Sequence, residues 1–354
     1  VFGRVDWRAP RTIALSIAGA LLTVLALLLV LLPVPYSRLE PGPATDTLGA
    51  TNGKPLIVIT GHQTYPSTGR LEMTTVSITN PDHRMTLLEA LAGWFRSGVA
   101  VVPKETVYDT TKSAAQIEAE NTQEMALSQK HATAAALQAL HIPGVVPHVV
   151  VAALTDGTPA AGKLKTADEI EKIDGRVIGS PQDVVDAVRK HKPGQQVVFL
   201  VKRGGQELTE TLTTTKNPAD AKLPYVGIRP DRDYTFPFSV RIELDNVGGP
   251  SAGMMFALGI IERLTPNGIT GGRIIAGTGT ITDDGVVGKI GGIQMKILGA
   301  KRSGATVFLV PADNCREARQ DPPGGIVLVR VDRLSTALSA LDAIRTGRGA
   351  VPHC

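Results

Sequence analysis

The segment from Ile13 to Val34 contains no charged residue. As an α-helix its 22 residues rise about 33 Å, enough to cross a ~30 Å hydrocarbon core. Few folds accept such a run: a bilayer-spanning helix, a signal peptide or a wholly buried core helix. Signal-peptide cores usually run 7–15 residues and end at an A-x-A site. Here Leu32-Pro33-Val34-Pro35-Tyr36 carries no such site. The pattern therefore predicts an uncleaved, single-pass anchor in the cell membrane. Arg4, Arg8 and Arg11 precede the run, whereas Arg38, Glu40 and Asp46 follow it. Positive flanks stay cytoplasmic, so the rest of the chain is expected outside.

Composition speaks against several chemistries. The 354 residues hold 37 Lys plus Arg against 33 Asp plus Glu, a net charge of +4. Part of that excess sits before the apolar run and the rest is scattered among acids, which does not suggest nucleic acid. Two cysteines, Cys315 and Cys354, are too few for a Cys-only zinc site or an iron–sulfur cluster. The seven histidines form no H-x3-H pair with a partner acid, so no metal and no cofactor is expected.

Beyond the anchor (1–36), residues 37–53 are rich in Pro, Gly and Thr and read as a linker. Strands are expected over 55–60 and 71–79, and helices over 85–99 and 113–140. No functional motif is visible in 37–140. Residues 141–218 form a separate stretch. Val145 to Leu154 reads as an apolar strand, followed by Asp156-Gly157-Thr158-Pro159-Ala160-Ala161-Gly162-Lys163-Leu164 and Asp168-Glu169-Ile170-Glu171-Lys172-Ile173-Asp174-Gly175. A helix over 181–190 and a strand over 196–202 come next.

This stretch resembles a mostly-β PDZ domain of the bacterial protease type, in its SPAxxAGLxxGDxIxxIDG-like run and its later VxLxVxRxG-like strand. The resemblance implies peptide binding by strand addition between a strand and a helix, here Val146–Val151 and Pro181–Lys190. The carboxylate-binding loop would fall on Ile142-Pro143-Gly144-Val145. Gly144, Val145, Val146 and Val149 are thus the expected peptide-binding residues. Pro143 offers no N–H to a carboxylate.

Residues 222–346 read as a third unit in which helices and strands alternate, α/β or α+β. Apolar residues from Phe236 to Leu244 recur with period two, which marks a half-buried strand interrupted or edged at Pro237. Gly248-Gly249-Pro250-Ser251-Ala252-Gly253 then leads into an apolar helix, Met254 to Leu264. Further elements are a strand at 274–275, a Gly-rich region 277–292, a helix over 293–303, strands over 306–310 and 326–331, and a helix over 335–345. Ser251 stands at a strand–turn–helix junction where unpaired N–H groups can stabilise an oxyanion. The same position also suits an ordinary helix-cap serine.

Gly249-x-Ser251-x-Gly253 satisfies the esterase pattern G-x-S-x-G, which needs a downstream histidine. The only one is His353, in the tail. Lysine is the remaining base, and it must be neutral to act. Lys301 lies beside Arg302 at a helix end, and Lys289 lies in a turn. Lys296 has Ile293, Ile297 and Ala300 as helical neighbours, so its stem lies on an apolar face. These grounds select Lys296.

Gly249-Pro250-Ser251-Ala252-Gly253, Gly277-Thr278-Gly279-Thr280-Ile281, Gly285 to Ile293 and Gln294-Met295-Lys296 together resemble the proteolytic domain of Lon-type Ser–Lys proteases over about 225–345. The resemblance implies Ser251 as nucleophile, Lys296 as base, and Thr278 as the residue that orients the lysine. Backbone N–H groups around Gly249, Pro250 and Ala252 would hold the oxyanion. Two positions depart from the family pattern: Gly248 replaces an acid and Gln294 a lysine. No Walker A sequence occurs, because Lys289 has neither the required first Gly nor a following Ser or Thr.

An anchor, a PDZ stretch and a Lon-like stretch resemble the membrane-anchored PDZ–Lon-like proteases of Gram-positive bacteria. The expected activity is ATP-independent cleavage of extended or unfolded protein and peptide substrates, with homo-oligomerisation left open. The rival expectations are an inactive PDZ scaffold and a G-x-S-x-G esterase. Outside the cytoplasm a Cys315–Cys354 disulfide is permitted and would tie down the tail 347–354; the alternative is a buried thiol and a dangling one.

Overall fold

The computed structural model describes residues 8–51, 53–244 and 247–354. Arg4, part of the predicted cytoplasmic flank, lies outside them. Helix α1 (Arg8–Leu31) runs straight into strand β1 (Tyr36–Asp46), followed by β2 (Arg70–Ile78), α2 (Leu87–Trp94), β3 (Ala100–Pro103) and the long α3 (Ala114–Ala139). Next come β4 (Val146–Leu154), β5 (Glu169–Ile173), α4 (Pro181–Arg189), β6 (Gln196–Arg203), β7 (Gln206–Thr213) and β8 (Ile228–Thr235). The chain ends with α5 (Gly253–Leu264), β9 (Ile274–Gly277), α6 (Ile293–Arg302), β10 (Val307–Pro311), α7 (Cys315–Ala318), β11 (Val327–Val331) and α8 (Leu334–Thr346).

These elements form two compact units, and the chain passes between them more than once. One contains residues 1–58, 63–129 and 241–354, and the other 59–62 and 130–240. The first is built on a mixed sheet in the order β11-β10-β9-β2-β1-β3. The strands β2, β9, β10 and β11 run parallel to one another, whereas β1 is antiparallel to both β2 and β3. Residues 37–53, expected as a linker, thus supply an interior strand. Their Pro and Gly content marks an irregularity within the strand, where the register shifts between Pro41 and Ala44. Gly42 is required there, since a Cβ would come within 2.3 Å of Thr75 Oγ1 on β2.

Helix α5 is buried at every position except Arg263; its one buried charge, Glu262, accepts from the N–H and the hydroxyl of Thr270 at 3.0 and 2.9 Å. Helix α6 packs Ile293, Ile297 and Ala300 into a core shared with Ala276, Phe308 and Val310. The C-terminal tail joins this unit. Arg330 and Cys354 donate backbone bonds to Pro352 and Leu328, and a disulfide links Cys315 to Cys354.

The second unit is a twisted sheet in the order β7-β6-β5-β4-β8, with α4 beside it and a core of Val151, Ile170, Ile173, Val184, Phe199 and Leu212. Buried Asp168 anchors it, receiving both Nε and Nη2 of Arg203 at 2.7 Å. The period-two pattern expected over 236–244 is broken at Pro237: β8 stops at Thr235 and a short strand resumes over Ser239–Ile242.

Candidate active site

The serine turn is held from two sides. Gly249 adopts φ +81°, which reverses the chain just before Pro250 and Ser251. Its N–H donates to the Asn121 carbonyl of α3 at 2.9 Å, and the Ser128 hydroxyl of the same helix donates to the Pro250 carbonyl at 3.0 Å. Opposite, the Ser251 carbonyl accepts the Gly279 N–H at 2.8 Å and the Thr278 hydroxyl at 2.9 Å. Thr278 is fully buried. Its hydroxyl is therefore spent on the serine backbone, whereas the resemblance assigned it to the lysine.

Lys296 projects from α6 onto Ser251. It is 4% exposed, and its Nζ lies 3.1 Å from Ser251 Oγ. The same Nζ donates to the Thr74 carbonyl of β2 at 2.6 Å. Burial lowers its pKa from the usual 10.5 to about 8, because a charged ammonium loses its hydration there. Two contacts set the start of α6. The Asn314 side chain bonds both the N–H and the carbonyl of Ile290, each at 2.9 Å. Gly292 turns with φ +68° where a Cβ would meet Val76 at 2.9 Å. The other candidate bases lie elsewhere. Lys289 and Lys301 are exposed, and Lys301 bonds the Gly325 carbonyl. His353 is exposed beside Val329 on the edge strand β11.

The oxyanion residues need correction. The Gly249 N–H is already committed to Asn121, and Pro250 has none to give. The N–H groups of Ser251 and Ala252, just ahead of α5, have no acceptor among the described residues. They are the donors the turn leaves free. The departure at Gly248 also has a steric reason, because a Cβ there would stand 2.7 Å from Asn121 Cβ.

The peptide edge expected at Val146 and Val149 is corrected as well. Strand β4, which carries both, is interior: it pairs with β5 on one side and along its length with β8 on the other, Val146 opposite Thr235 and Val149 opposite Arg232. Its edge toward β8 is used along the whole strand, so Gly144 and Val145 do not lead into an open edge on that side, and toward β5 it pairs at Val150, opposite Glu169. The terminal strand is β8, preceded by Tyr225-Val226-Gly227 with Gly227 at φ +85°, and α4 packs against it. The edge of β8 is partly capped by its own side chains. The N–H groups of Arg232 and Tyr234 donate to the carboxylates of Asp231 and Asp233 at 2.8 and 2.7 Å, and Pro230 has no N–H. Lys130 and His131 of α3 hold those carboxylates, Lys130 to Asp233 at 2.6 Å and His131 to Asp231 at 3.5 Å. The sequence does not announce this edge, because Pro230 and the consecutive charges Asp231-Arg232-Asp233 give it no strand-like alternation.

Residues 246–336 match the Lon protease (S16) C-terminal proteolytic domain, and residues 111–214 match the PDZ domain. The chain joins a PDZ domain to a Lon-type proteolytic domain. Ser251, Thr278 and Lys296 all fall inside the Lon-type match, whereas β8 lies beyond the PDZ match. Relatives agree. Lon protease 1 of Bacillus subtilis is 26% identical over 185 residues, covering 50% of this chain and 23% of that protein. Lon protease 2 of Herpetosiphon aurantiacus is 32% identical over 177 residues, covering 48% and 22%. The chain thus spans about a quarter of the length of these relatives. Among solved structures, the PDZ domain of an SdrC-like protein from Listeria innocua is 29% identical, covering 23% of this chain and 90% of that one, with a TM-score of 0.21. The Lon-type match and these relatives make this chain similar to Lon proteases. Among the described residues no group of three or more His, Cys, Asp or Glu could hold a metal.

Proposed function

We propose that this chain is a membrane-anchored serine endopeptidase that cleaves extended protein segments with a Ser251–Lys296 dyad and without ATP. One observation carries the reading: a buried amine, its pKa lowered to about 8, sits 3.1 Å from the hydroxyl of a serine at a helix N-terminus. Neutral Lys296 takes the Ser251 proton as Oγ bonds to the peptide carbonyl carbon. The oxyanion is met by the N–H groups of Ser251 and Ala252. The Thr74 carbonyl holds the resulting ammonium, which protonates the leaving amine as the C–N bond breaks. Lys296 then removes a proton from water, which attacks the acyl-enzyme and returns Ser251.

The reading gives these 354 residues, in which no Walker A sequence occurs, no unfolding step of their own and takes an extended segment as the substrate. Peptide capture by the PDZ domain fits the edge of β8 next to α4 and the Tyr225–Gly227 turn. Helix α1 carries 21 apolar-rich residues, Arg11–Leu31, none of that window buried, which suits a single-pass anchor with the catalytic part outside.

The test is cleavage of an unstructured polypeptide together with labelling by a fluorophosphonate. Both are expected in the wild type. Ser251→Ala should lose both, and Lys296→Ala and Lys296→Arg should lose cleavage, because a guanidinium keeps its proton. Cleavage surviving in either lysine variant would reject the dyad.

A further inference from the structure

We propose that α2 and the turn after it rest in the headgroup region of the bilayer that α1 spans, so that a lipid surface is a second attachment of the catalytic unit. The proposal rests on the reading of α1 as a membrane anchor. Helix α2 is fastened to the place where α1 ends. The Leu32 carbonyl accepts the Leu87 N–H at 3.1 Å, Val34 donates to the Met85 carbonyl at 2.8 Å, and the ring of Tyr36 meets that of Trp94 edge-on with centroids 6.0 Å apart.

The helix is apolar on both faces. Ala90 and Gly93 turn inward, and Gly93 packs so close to β3 that a Cβ would stand 2.6 Å from Val101. Outward stand Leu88 at 49% exposure, Trp94 at 54% and Phe95 at 89%. Leu88 and Phe95 are two helical turns apart, so they share a face. A phenylalanine this exposed beside a tryptophan has no purpose in water, yet such rings settle at the membrane–water boundary.

The charges around the patch are mixed and leave only a small positive excess. Exposed Arg84 and Arg96 stand with Glu89 and Glu40; Glu40 pairs with Arg38 and Arg96, and Glu89 with His83. The attraction is therefore burial of the rings and not of charge, and a zwitterionic lipid is enough.

Trp7 and Trp94 are the only tryptophans, so the full-length Trp7→Phe chain reports on Trp94 alone. It is reconstituted in phosphatidylcholine vesicles and washed with alkaline carbonate. Lipids brominated high in the acyl chain should then remove most of the Trp94 emission, and aqueous iodide should remove little. Quenching by iodide without quenching by bromolipid would overturn the proposal. Protection from both would mean that protein covers the patch, a second copy for instance, and would overturn it equally. Release by carbonate would instead refute the anchor, and the proposal with it. Adding Phe95→Asp should raise iodide quenching while leaving cleavage of a soluble peptide unchanged; unaltered quenching would also count against lipid contact.

Discussion

The pH dependence of cleavage follows from the burial of Lys296. With a pKa of about 8, roughly 9% of the amine is neutral at pH 7, against about 0.03% for an ordinary lysine near 10.5. Burial therefore supplies about 300 times more active base at neutral pH. The neutral form is the base, so kcat/KM for a short unstructured peptide should rise about tenfold per pH unit below 8 and level off above it. Between pH 6 and pH 9 the gain should be about 90-fold. The same shift has a sign for stability. A lysine whose pKa is depressed in the fold binds fewer protons there than in the unfolded chain, so stability rises with pH between about 8 and 10.5. The unfolding free energy of the wild type relative to Lys296→Met should thus increase by about 2 kcal/mol from pH 7 to pH 9.5. Comparing the two proteins at each pH cancels the lost Thr74 bond, which does not vary with proton concentration. A flat rate profile from pH 6 to 9, or a half-rise near 6.5, would refute a buried lysine base.

Other changes test the surrounding structure. Gly248→Asp restores the family's acid but drives a side chain onto Asn121, so it should lower the thermal midpoint and kcat together. Cys354→Ser opens a loop with a sequence separation of 39 and should cost about 3–4 kcal/mol in denaturant unfolding, an effect that reductant should reproduce in the wild type. Asp231→Ala with Asp233→Ala, in an inactive Ser251→Ala chain, frees two N–H groups on the β8 edge. A peptide with a free C-terminus should then bind about 2–10-fold more tightly by calorimetry; unchanged or weaker binding would count against strand addition at β8.

Ser251 and Lys296 each stand out in the sequence as a candidate, one by a Gly-Pro turn before an apolar helix, the other by its apolar helical neighbours, whereas their proximity is a property of the fold. Thr74 is not legible. It acts through a backbone carbonyl, and any residue supplies one. Ser128 and Asn121 are equally silent, being ordinary members of an Ala- and Gln-rich helix whose role depends on what lies across from them. The element types of most helices follow from period and capping, and α2 even carries the Thr86–Glu89 capping box. Strand β1 is the instructive exception. Pro41-Gly42-Pro43 speaks locally for a loop, but hydrogen bonding from both neighbours outweighs that preference and confines the irregularity to one bulge. For the peptide edge, the strand order decided the matter, and strand order is a long-range property that no single segment encodes.

Strand β1 also determines where the chain can be cut. Only four residues separate the end of α1 from Tyr36, and Tyr36 already pairs with Pro103. A little further on, Ala44 pairs with Thr74, the residue whose carbonyl holds the Lys296 amine. A proteolytic nick anywhere from Ser37 to Asp46 would sever the strand that fixes β2, and with it the floor beneath the lysine. On the proposed reading of α1 as an anchor, a catalytic unit joined to it in this way cannot be shed in working form by a cut in that stretch. Release would have to fall within Leu32–Pro35, and a soluble version made by truncation must keep every residue from Tyr36 onward.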